Sequence, residues 1–179
     1  MTPPAALRVA VCDRSTQQPA MPQMPALPSP RPARVALLGV GNDTHGDDGA
    51  GVSVVRALAP RLASAPSVLL IDAGVAPENF TGPLRRFRPD LIIEVDAADQ
   101  GAQPGTVAWI DWRDADGVSA STHTLPPSVL ASFLVAELGC EIRLIGIQPA
   151  TLDDGEPLSP AVAAAVTDLV STLSAWLTA

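Results

Sequence analysis

Lysine is absent from this 179-residue chain, and all eleven basic residues are arginine. Tyrosine is absent too, and aromatic residues make up only 3% of the chain. These gaps exclude a Schiff-base lysine, the lysine of a phosphate-binding P-loop and a tyrosine acid. The two cysteines, Cys12 and Cys140, are too far apart for a CxxC pair, which rules out a zinc ribbon or a thioredoxin-like motif. Cys12 falls in an expected tail. Cys140 lies between an expected helix and an expected strand, where a small buried apolar residue is the simplest role. Free thiols fit a reducing cytoplasm. No uninterrupted apolar run approaches the ~18–20 residues that span a bilayer, and Ala5 to Cys12 is too short and too charged at its end for a signal peptide. Positive charge is scarce: the formal net charge is −8. That balance disfavours nucleic acid and anionic membranes as partners, because both select clustered Lys and Arg.

What is present begins with proline. Residues 1–32 carry eight of the nineteen prolines and no sustained periodicity. Proline lacks the amide donor and fixes φ, so this stretch is expected to be a disordered or polyproline-like tail. Residues 33–179 read as one α/β domain. Strands are expected at Ala33–Val40, Ser67–Asp72, Pro89–Asp96, Thr106–Ile110 and Glu141–Ile147. Helices are expected at Gly49–Ala63, Ala76–Phe87, Pro126–Leu138 and Ser159–Leu177. Continuous apolar strands such as Leu91-Ile92-Ile93 suit a sheet buried on both faces. The alternation predicts a three-layer α/β/α sandwich around a mostly parallel sheet of about five strands.

The chemistry gathers at strand ends. The first strand runs into Gly39-Val40-Gly41-Asn42, then a polar turn with His45, Asp47 and Asp48, then a helix. Asp72, Asp96 and Asp111 close the next three strands. If the first three strands are parallel, Asp72 and Asp96 share an edge with Asp47 and Asp48. Acids converging on one edge repel, and a bound cation relieves that repulsion. With only His45 and His123 as imidazoles, two carboxylates and one histidine make a site for a divalent transition metal. The plainer alternatives are that Asp47 or Asp48 caps the first helix, that Asp72 forms a turn, and that each histidine is a solvated loop residue. A dinucleotide cradle is excluded: after Gly39 and Gly41 the third glycine position holds Thr44, and acids at a helix N-terminus repel pyrophosphate. Gly-x-Ser-x-Gly and His-Glu-x-x-His are both absent.

Several blocks, in order over Arg34 to Trp176, resemble the endopeptidases that mature nickel–iron hydrogenases. They are Leu38-Gly39-Val40-Gly41-Asn42 with Gly46-Asp47-Asp48-Gly49-Ala50-Gly51; Ile71-Asp72-Ala73-Gly74-Val75-Ala76-Pro77-Glu78-Asn79; Ile93-Glu94-Val95-Asp96-Ala97-Ala98-Asp99; Pro104-Gly105; Ser121-Thr122-His123-Thr124-Leu125-Pro126; and Leu144-Ile145-Gly146-Ile147-Gln148-Pro149. The Pro77, His123 and Gln148 blocks look closest to the branch serving formate-hydrogenlyase-type hydrogenases. The resemblance implies removal of a C-terminal extension from a hydrogenase large-subunit precursor after nickel insertion. It implies Asp48, Asp96 and His123 as metal contacts, with nickel carried by the substrate rather than by a permanent cofactor. His45 and the tail have no counterpart in it. The matched blocks offer no Ser–His or Cys–His pair, which leaves a metal-polarised carbonyl or metal-activated water with Asp48 or Asp96 as base. A monomer without nucleic-acid or membrane partners is expected. The competing readings are a non-catalytic metal-sensing or chaperone module that binds the precursor, and, by fold analogy alone, a small-molecule-binding domain.

Overall fold

The computed structural model describes residues 24–115 and 126–179. His123 and the first twenty-three residues of the expected tail lie outside the described residues. Five strands form one sheet: β1 Val35–Val40, β2 Val68–Gly74, β3 Leu91–Ala97, β4 Val107–Ile110 and β5 Glu141–Ile147, in the order β2-β1-β3-β5-β4. β1 pairs in parallel with β2 and β3, and β3 pairs in parallel with β5; β4 alone is antiparallel, on β5. Every residue of β1 and β3 is buried, as their unbroken apolar sequence requires.

Four helices cover the two faces, which makes the expected three-layer α/β/α sandwich. Odd-numbered residues such as Leu37, Ile93 and Ile145 pack under α1 (Ala50–Leu58) and α4 (Pro160–Thr178). Even-numbered residues such as Leu38, Ile92 and Leu144 pack under α2 (Thr81–Phe87) and α3 (Pro127–Leu138). α4 starts on the Ser159 cap, whose side chain accepts from Val162 N, with Pro160 in the first turn. By length and composition α4 is apolar enough to cross a membrane. Its stripe from Val162 to Leu177 is nevertheless buried in the α1 layer, as in a core helix.

Three details differ from the sequence expectation. α1 ends at Leu58 rather than Ala63, because Pro60 has no amide hydrogen to continue the helical ladder and its ring crowds the carbonyl of Arg56. Asp111 leaves the set of gathered acids: β4 is antiparallel, so Asp111 sits at the opposite sheet edge and accepts from Arg113 N at the start of a 3-10 turn. Residues 24–32, read as part of a disordered tail, lie against the body instead. Met24 and Leu27 pack on the α1/α4 core. The indole of Trp109 donates to Ala26 O and that of Trp176 to Pro28 O, both at 2.9 Å. Proline-rich chain offers free carbonyls and little conformational entropy to lose, which suits it to two fixed indole donors.

Candidate active site at the carboxyl edge

β1 connects to β2 on one side, and the chain then crosses back to β3 on the other. The switch point of the sheet therefore lies between the carboxyl ends of β1 and β3, the place where open α/β sheets bind ligands. A tight turn fills it. Gly51 in the first helical turn abuts both strand ends: a Cβ there would lie 2.0 Å from Val95 O and 2.5 Å from Val40 O. Gly41 has φ +120°, and a Cβ on it would fall 1.8 Å from Asp48 O. Only glycine lets this turn seat so deeply.

The seating buries both acids of the turn. Asp48 is 6% exposed. Its Oδ2 accepts from Asn42 N at 2.7 Å, while its Oδ1 is buried without a hydrogen-bond partner among the described residues. Burial raises the Asp48 carboxyl above its usual range, with the Asn42 amide and His45 acting the other way. Asp96, also 6% exposed, ends β3 opposite Gly146 of β5, on the same edge. Two residues earlier on the same face, Glu94 is buried, and desolvation together with the Asp96 charge pushes its pKa up to about 8. Such a concentration of buried acid at a switch point is costly unless protons or a cation neutralise it. A buried carboxylate oxygen without a donor is the kind of ligand a divalent cation takes.

Neither acid caps α1, contrary to one of the alternatives read from the sequence. Asp47 is fully buried and reaches across to the loop before α4. It accepts from Ala150 N at 2.8 Å, Thr151 N at 3.2 Å and Ser159 N at 2.6 Å, and its own amide donates to Thr151 O. Asp72 lies within β2 and pairs with Arg56, which also holds Asp43 of the site turn. His45 sits at the rim, with Nδ1 against Thr44 Oγ1 and Nε2 against Asp154 Oδ1. The edge thus gathers Asp48 and Asp96, with Asp47 in support and His45 and Asp72 engaged elsewhere. Among the described residues no cluster of three His, Cys, Asp or Glu side chains suits a metal ion.

Sequence reasoning gave Gln148, Arg56 and Glu94 no individual role. Gln148 Oε1 accepts from Gln100 N and Ala102 N, and its Nε2 donates to Asp99 Oδ1, so it fixes the loop that follows Asp96. Its place just after the last parallel strand marks the carboxyl edge. Glu94 stood out only as an acid inside an otherwise apolar strand. Arg56 carried no local signal, since its partners Asp43 and Asp72 are 13 and 16 residues away. Beside Asp96 an apolar cleft is lined by Ala98, Ile110, Ala115, Pro127, Leu144 and Gly146.

A small α/β domain with paired buried acids at its switch point is the class defined by this geometry. Comparison with known proteins makes the class specific. Residues 52–176 match the family model described as HycI, hydrogenase maturation protease. The hydrogenase 3 maturation protease of Escherichia coli K12 is 37% identical over 143 residues, covering 78% of this chain and 88% of that protein. A putative hydrogenase maturation protease of Methanocaldococcus jannaschii is 33% identical over 146 residues, covering 78% and 86%. The crystal structure of HycI from Thermococcus kodakarensis superposes with a TM-score of 0.76 at 33% identity, over 83% of this chain and 94% of that one. The HybD endopeptidase of E. coli gives a TM-score of 0.67 at 27% identity, over 81% and 92%. The chain belongs to the hydrogenase maturation proteases and is a peptidase. The family resemblance and the fold class expected from the sequence are both borne out.

Proposed function

We propose that this peptidase removes the C-terminal extension of a nickel–iron hydrogenase large-subunit precursor and cuts only after nickel has been inserted. Asp48 and Asp96 meet the nickel carried by that substrate, with His123 as the third contact. The observation that carries the reading is Asp48 Oδ1, a buried carboxylate oxygen without a hydrogen-bond donor among the described residues, at the switch point that Asp96 shares. Burial has already stripped water from this oxygen, so a cation arriving with the substrate gains a ligand at little further desolvation cost. No resident cofactor is needed.

Charge supports the direction of approach. Asp43, Asp99, Asp153 and Asp154 surround the carboxyl edge, whereas Arg34, Arg85, Arg86 and Arg88 line a trough at the opposite edge. The acidic edge draws a cation-bearing substrate toward the site. For hydrolysis, Asp48 or Asp96 takes a proton from water as the water oxygen attacks the scissile carbonyl carbon. The carbon–nitrogen bond then breaks, and the same carboxyl returns the proton to the departing amine.

The same reading places the protein in the cytoplasm as a monomer, without nucleic-acid or membrane partners. The buried free thiol of Cys140 and the net charge of −8 fit this. A module that binds precursor without cutting it does not accord with membership of a peptidase family. The test is to incubate the protein with nickel-loaded and nickel-free precursor and to weigh the large subunit by intact-protein mass spectrometry. Shortening of the loaded form alone is expected. Equal shortening of both forms overturns nickel recognition, and no shortening of either overturns the reading.

A further inference from the structure

Gln100 carries the one side-chain nitrogen that is buried without a hydrogen-bond partner among the described residues. Its backbone is fixed in the loop after Asp96. Gln100 N donates to Gln148 Oε1 at 2.7 Å, Ala102 N donates to the same oxygen, and Gly101 N donates to Asp99 Oδ1. From that anchored point the side chain turns back over the sheet. Its Nε2 rests against Gly146 of β5, 3.0 Å from where a Cβ on that residue would stand. Only the missing side chain of Gly146 leaves room for it. Ala98 and Ile110 converge on the same spot. Gly146, Ala98 and Ile110 line the cleft that holds Asp96, and its remaining walls, Ala115, Pro127, Leu144 and Ile145, are apolar. Asp96 and Gly146 stand opposite each other in the register of β3 and β5, so the Gln100 amide group and the Asp96 carboxyl belong to one end of the sheet.

We infer that Gln100 is a substrate-binding residue, whose Nε2 donates a hydrogen bond to a main-chain carbonyl oxygen of the precursor at the Asp96 cleft. The inference rests on the function proposed above. A buried amide donor without an acceptor costs stability, so its retention calls for a partner that arrives from outside. Chemistry narrows that partner. The amide group only donates through its nitrogen, so it does not take the nickel. A carboxylate brought to this cleft meets the repulsion of Asp96. A buried water finds few polar partners between apolar walls. A neutral carbonyl oxygen satisfies the donor without either charge conflict, and a peptide offers one at every residue. Anchored through Gln148, the donor is held in place before the precursor arrives, so little freedom is lost when the bond forms.

The test compares the wild type with Gln100→Met, which keeps the length of the side chain and removes the donor. Two quantities are read: kcat/KM for cleavage of nickel-loaded precursor, and the melting temperature of each protein alone. The variant is expected to lose roughly 5- to 100-fold in kcat/KM, because the precursor carbonyl is left unpaired. Its Tm is expected to equal or exceed that of the wild type, because the free protein no longer buries an unpaired donor. A donor that serves the fold itself gives the opposite pattern. Gln100→Leu serves as a second variant, with the same expectations, should Gln100→Met alone melt early. A fall in Tm of more than about 3 °C in both variants overturns the inference, since the amide group is then held within the protein. Unchanged kcat/KM in a folded variant also overturns it, leaves the proposed activity standing and assigns the donor to a water. If the wild type does not cut, the proposed activity fails by itself. The affinity of the precursor for immobilised wild type and variant then decides: weaker binding to the variant upholds the donor, and equal binding overturns it.

Discussion

Replacing Asp47 with alanine is expected to destabilise the protein far more than removal of an ordinary surface acid. The Asp47 carboxylate is fully buried and accepts three backbone amides, those of Ala150, Thr151 and Ser159. Alanine removes the acceptor for all three. A buried donor left unpaired costs about 1–3 kcal/mol, and a charged acceptor makes each bond stronger than a neutral one. Two effects work against the full sum. Water can reach part of the loop, which is exposed from Leu152 to Pro157, and the variant no longer buries a charge. A net loss of about 3–5 kcal/mol follows, the range for breaking a buried charged network by removing one side of it. For a domain of this size that corresponds to a fall in Tm of roughly 8–15 °C. Asp47→Asn is expected to lose about half as much, because its carbonyl still accepts while its amide group faces donors. Urea titration followed by circular dichroism, with the slope m checked for constancy, measures both. A loss below about 1 kcal/mol for Asp47→Ala at unchanged m would refute the claim that this carboxylate staples the site turn to the loop before α4.

Two further outcomes rest on the same geometry. Gly51→Ala places a Cβ 2.0 Å from Val95 O, a contact that only movement of α1 off the sheet can relieve. The variant is expected to lose roughly 3 kcal/mol or more and to expose the site turn to limited proteolysis; a wild-type melt would count against the close seating of α1. Cys140 is buried, and desolvation raises its thiol above the ordinary value near 9. Between pH 7 and 9 it is expected to resist aromatic disulfide reagents in the folded protein and to react only after denaturation. Its folded pKa is the higher one, so its contribution to stability falls as pH rises from the unfolded value through the folded one. Rapid labelling of Cys140 in native protein at pH 8 would contradict its burial.

Much of the fold was legible because two-sided burial writes itself into composition. Val35-Ala36-Leu37-Leu38 and Leu91-Ile92-Ile93 suit interior strands, and every residue in them is buried. Parallel strands bring their ends to one edge, so Asp96 was legible beside the acid pair Asp47 and Asp48, and the family resemblance alone singled out Asp48. What escaped depended on contacts distant in sequence. The two adjacent acids look alike in the chain, yet Asp47 is committed to amides more than 100 residues away while Asp48 keeps a buried oxygen without a donor among the described residues. The proline-rich stretch after Met24 read as a tail because nothing local orders it. Its anchors, Trp109 and Trp176, lie 83 and 148 residues further along. The reversal of β4, which carries Asp111 to the far edge, follows from pairing with β5 and leaves no mark in the sequence of β4.

The central claim is that Asp48 and Asp96 act together on a nickel-bearing precursor. The most direct measurement is the single-turnover rate of precursor cleavage by wild type, Asp48→Asn and Asp96→Asn, each with its melt and circular dichroism spectrum recorded. Asparagine keeps the shape and removes the charge. Each variant is expected to stay folded and to cut nickel-loaded precursor at least about 100-fold more slowly. A folded Asp48→Asn or Asp96→Asn that cuts at the wild-type rate would contradict the account.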